Sequence, residues 1–66
     1  MKKIVVDKWT DSPNFSIQVH KFEEAEDAFK YAEKEYAPYG FNVACFCKDI
    51  KVLLIGTYSN SNLPKS

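Results

Sequence analysis

Two apolar runs, residues 41–47 and 52–58, flank the polar Lys48-Asp49-Ile50-Lys51 and read as a hairpin whose strands are apolar on both faces. Side chains alternate sides along a strand, so Val43, Cys45 and Cys47 point one way and Ala44 and Phe46 the other. Such a hairpin needs cover above and below. One helical segment is available to provide it, so one sheet face is expected to stay partly bare and to meet a partner.

Size adds to that demand. A 66-residue domain buries only about 60% of the surface its unfolded chain exposes, and oligomerisation is one common remedy. The 45% hydrophobic and 15% aromatic content is that of a folded domain and not of a disordered chain.

The remaining elements follow from periodicity. Ile4 to Trp9 reads as a strand ended by Thr10-Asp11-Ser12-Pro13-Asn14, a dense turn cluster. Phe15, Ile17 and Val19 then alternate with Ser16, Gln18 and His20, the period-two pattern of a half-buried strand. From Glu24 the period lengthens. Ala25, Ala28, Phe29, Ala32 and Tyr36 form the stripe of a helix of roughly three turns. Glu23, Glu24, Glu26 and Asp27 crowd its positive end, and Phe22 is placed to staple it. Pro38 and Gly40 close it. The order is β-β-α-β-β: one small α+β domain over residues 1–58, a four-stranded sheet with one helix on one face, followed by a polar tail at 59–66 that is expected to be loosely ordered.

A tight turn at Asp49-Ile50 pairs Cys47 with Val52, and alternation then sorts the hairpin. Val43, Cys45, Cys47, Val52, Leu54 and Tyr58 share one face; Ala44, Phe46, Lys48, Lys51, Leu53, Ile55 and Thr57 share the other. Free cysteine is commonly buried, and an alanine stripe permits close approach, so the helix is expected over the cysteine face. That leaves Phe46, Leu53 and Ile55, with Ala44 beside them, as the open patch. Burying three such large side chains is worth roughly 5–8 kcal/mol gross, enough for a homodimer about a two-fold axis after association costs. Tyr31, Tyr39 and Trp9 join them as interface candidates, because each combines a large apolar area with one polar handle.

Catalytic chemistry finds little footing. His20 is the single histidine, and it reads as a solvated strand residue on the side away from the cysteines. Cys45-x-Cys47 lacks the second ligand pair of a structural zinc site and reads as core. The acids of the helix read as a solvated face with pairs such as Glu26 and Lys30. With glycine only at positions 40 and 56 there is no phosphate-cradling loop. No enzyme activity, cofactor or metal is expected.

Formal net charge is zero and all nine basic residues are lysine. Without arginine, guanine edges and phosphates lose their usual bidentate partner, which disfavours nucleic acid. A small-ligand or nucleic-acid binding module built on Trp9, Tyr31 and His20 is the alternative reading. Asp7 and Lys8 stop the N-terminal apolar run too early for a signal peptide, and Val52 to Ile55 is too short to span a bilayer. A cytoplasmic location with reduced cysteines is expected.

Phe15-Ser16-Ile17-Gln18-Val19, the alanine-spaced helix, Tyr39-Gly40-Phe41-Asn42-Val43 and Lys51-Val52-Leu53-Leu54-Ile55-Gly56-Thr57-Tyr58 resemble the first half of a SPOR peptidoglycan-binding domain, over about two-thirds of the chain. The resemblance implies a strand-helix-strand-strand core and glycan binding; that family's second helix and last strand have no counterpart here. The expectation from the residues themselves is a non-enzymatic interaction protein that binds itself or another protein. An inhibitor encoded by a phage or mobile element is one setting that suits its size.

Overall fold

The alternating and helical patterns resolve, in a computed structural model that describes residues 1–8 and 15–57, into β1 (Lys2–Val6), β2 (Phe15–His20), α1 (Ala25–Glu35), a 3-10 turn (Ala37–Tyr39), β3 (Val43–Cys47) and β4 (Val52–Gly56). The α+β order β-β-α-β-β holds as read from the sequence. The sheet runs β1-β3-β4-β2, with β1 parallel to β3 and the other two pairings antiparallel. Strands β2 and β3 are therefore parallel, with β4 between them and α1 joining them, a split β-α-β unit. The first two strands, neighbours in the chain, stand at opposite edges.

The hairpin forms as its alternation predicts, with Cys47 opposite Val52. Its turn is held by the Asp49 carboxylate, which accepts the Ile50 N–H at 2.7 Å, and it places Lys51 in the left-handed region at φ 56°. Beyond Val6 the ladder continues into this turn: Lys48 N–H donates to the Val6 carbonyl at 2.9 Å and Asp49 N–H to that of Asp7 at 3.1 Å. Helix α1 ends at Tyr36, whose N–H donates to Ala32 O at 2.9 Å, and the 3-10 turn containing Pro38 follows. Gly40, at φ 95°, then reverses the chain toward β3 in a conformation that costs glycine little.

Register places the side chains in rows across the sheet. On one face lie Val5-Phe46-Leu53-Val19 and Lys3-Ala44-Ile55-Ile17; on the other lie Val6-Cys47-Val52-His20 and Ile4-Cys45-Leu54-Gln18. Simple alternation would keep Phe15 with Ile17 and Val19. A bulge at Ser16 breaks that pattern, and Phe15 packs instead with the cysteine cluster.

The helix covers the face opposite to the one expected. Ala28 and Ala32 pack on Ala44, Phe46, Leu53 and Ile55, all between 0% and 2% exposed. The physical reason is volume. Alanines leave a shallow helix surface, and close packing is reached when large side chains rise from the sheet to fill it; alanine over cysteine and valine would leave space empty. Phe22, Tyr31, Tyr36 and Phe41 close the side of this core, with successive ring centroids 5.2, 5.9 and 5.8 Å apart. The cysteine face forms a second cluster in which Cys45, Cys47, Val52 and Leu54 are buried and Ile4, Val6 and Phe15 pack against them. No described element lies across it.

Candidate interaction surface

Phe46, Leu53, Ile55 and Ala44, expected to form an open patch, are the centre of the helix-covered core. A dimer through that patch is therefore corrected: the four side chains are spent on folding the monomer. Tyr31 is half-buried between Phe22 and Tyr36, and the Lys21 ammonium sits 5.3 Å from its ring centroid. Burial, followed by the neighbouring Tyr31 hydroxyl, raises the Tyr36 phenol above its ordinary pKa. Tyr39 is on the surface, 79% exposed in the 3-10 turn. Trp9, Tyr58 and the polar tail lie outside the described residues.

His20 also stands differently from its expected position. Opposite Val52, it shares a face with Cys47 and is exposed. The strand β4 separates them, so two strand spacings, about 10 Å, part the imidazole from the nearer thiol. A Cys/His dyad needs hydrogen-bond reach, and Val52 occupies the gap. Burial pushes the Cys45 thiol up to about 11, with Cys47 beside it adding to the rise. Cys47 is raised as well, again chiefly by burial. Protonated thiols are weak nucleophiles and poor metal ligands. Among the described residues, no group of three or more His, Cys, Asp or Glu is placed to hold a metal ion.

Sequence reasoning missed the surface that tertiary structure builds between α1 and the edge strand β1. Lys3, Glu26, Phe29, Lys30 and Glu33 line a groove of about 490 Å³ there. Its floor is apolar through the half-buried Phe29, and Val5, 48% exposed, stands two residues along β1 from Lys3 on the same face. The rim is charged. Lys3 Nζ reaches Glu33 Oε2 at 2.7 Å and holds that carboxyl below its ordinary pKa, while Lys30 and Glu26 pair more loosely at 3.9 Å.

The three large apolar side chains that are substantially exposed among the described residues are Val5, Tyr39 and Ile50. Ile50 is in the hairpin turn, and Tyr39 lies ahead of β3 near the sheet's other end. Of the three, Val5 alone lies on an edge strand, two residues from the groove-lining Lys3. Sheet edges are commonly blunted, and β2 carries its bulge at Ser16 while β1 carries Lys2 and Lys3. The register of β1 with β3 is unbroken from Lys2 to Val6, and the Lys3 charge is answered by Glu33. Of the two edge strands among the described residues, β1 is thus the one whose register is regular throughout.

No protein-family model matches the chain, nor does any curated protein or solved structure. The likeness to a SPOR domain therefore rests on the strand and helix pattern alone. No helix among the described residues is long and apolar enough to cross a membrane.

Proposed function

We propose that this chain is a protein–protein interaction module that takes up an extended segment along β1, without catalysing a reaction of its own. The observation that carries this reading is the groove between α1 and the β1 edge, with Val5 exposed beside it. In strand addition, backbone hydrogen bonds supply affinity, and pockets for alternate side chains supply specificity. Here Lys2–Val6 provides the backbone edge, and Val5 and Phe29 provide an apolar seat for one side chain of the incoming strand. The ion pairs on the rim favour a segment whose flanking residues carry charge.

The test is selection of peptides from a random library displayed on phage, using wild-type protein as bait and Val5→Lys for counter-selection. Selected peptides should carry apolar residues at alternate positions. On titration into isotopically labelled protein they should shift the amide signals of residues 3–6 and 29–33. If neither selected peptides nor increasing concentration of the protein itself moves those signals, the reading fails.

A further inference from the structure

We propose that the strand seated in this groove is β1 of a second copy, the two β1 strands pairing antiparallel about a two-fold axis beside Ile4. This rests on reading the groove as a strand-addition site and names its occupant. The argument is one of register and charge. A two-fold at Ile4 sets Lys3 opposite Val5 of the other copy, and Lys2 opposite Val6, so no lysine directly faces a lysine.

The groove suits that arrangement. Helix α1 leaves the end of β2 near Val52 and returns to the start of β3, so it runs antiparallel to β1. Glu33 sits over Lys3, and Glu26, two turns or about 10 Å earlier in the helix, lies toward Val5. Lys3 of the second copy therefore arrives at the end of the groove where Glu26 stands, a carboxylate whose own helix partner is 3.9 Å away. Each groove contributes two cations and two anions, and the two-fold brings opposite signs together. Val5 is covered in both copies, and Ile4 meets its own counterpart on the other face. Pairing joins two four-stranded sheets into one continuous sheet and removes both β1 edges.

Sedimentation equilibrium on the full chain, from about 10 μM to about 1 mM, tests this directly. Wild type should pass from monomer to dimer mass within that range. Val5→Lys places like charges opposite each other twice and should weaken association at least about tenfold, whereas Val5→Glu, facing Lys3, should stay within about threefold at low salt. Ile50→Lys, the same change made away from the groove, should leave association unaltered. Circular dichroism at each concentration separates dissociation from unfolding. A wild type that remains monomeric at about 1 mM overturns the proposal, as does equal weakening by Val5→Lys and Val5→Glu, which would place the contact in another register. A monomeric wild type that still captures peptides along residues 3–6 overturns the second copy alone and leaves strand addition standing.

Discussion

At the residue scale, chemical identity matters less than position. Cys45 and Cys47 are the most reactive side-chain types in the chain, yet both are buried free thiols whose pKa values rise with burial. The sign of the consequence is fixed by linkage. Burial pushes the Cys45 thiol from its ordinary value of 9.0 to about 11 in the folded protein, so its neutral form is favoured by folding; that contribution is complete below pH 9 and is lost as pH rises toward 11. Urea melts should therefore show stability falling across this window, with a shallower fall in Cys45→Ala. A thiol reagent at about pH 8 should label native protein slowly and denatured protein at once. Gly40 gives a second test. A Cβ there would meet nothing within 4 Å, so Gly40→Ala carries the backbone strain of φ 95° alone and should cost about 1 kcal/mol in a denaturant melt.

At the scale of elements, the fit between α1 and the sheet decides which face is inside. The helix offers Ala28 and Ala32, and the sheet answers with Phe46, Leu53 and Ile55. Leu53→Ala should leave a cavity and cost about 2–5 kcal/mol, while Ala32→Leu should overpack the same layer and cost about 1–3 kcal/mol. Phe46→Asp discriminates sharply between faces. On an open surface it would dissociate a dimer and leave the monomer folded; under the helix it buries an unpaired carboxylate and should unfold the domain, seen as loss of far-ultraviolet circular dichroism. The helix and hairpin were legible in advance because each rests on local periodicity, 3.6 and 2 residues respectively. The bulge at Ser16 was not, because nothing in Phe15-Ser16-Ile17 breaks the alternation; it comes from pairing with β4.

At the scale of the whole molecule, assembly and stability become one question. If β1 pairs with β1 of a second copy, the folded dimer is favoured by mass action, so the thermal midpoint of wild type should rise with protein concentration and that of Val5→Lys should not. Differential scanning fluorimetry over a hundredfold concentration range reads this. The candidate surface was illegible in the sequence for a definite reason. Val5, Lys3, Phe29 and Glu33 lie in segments separated by more than twenty residues, and they converge only because β1 pairs with β3 rather than with its chain neighbour β2. Tyr39, by contrast, was legible as a surface aromatic, since it follows a proline at the helix end.

What the sequence determined by itself is the set of elements, their order, and the hairpin register through Cys47 and Val52, because these depend on neighbours a few residues apart. Tertiary structure alone decided which face of that two-sided apolar hairpin meets the helix, and which of the two edge strands among the described residues keeps a regular register. Alternation states that two faces differ but carries no information on which is filled; that choice follows from the volumes on the opposing element, and the place of β1 at the sheet's edge follows from strand order.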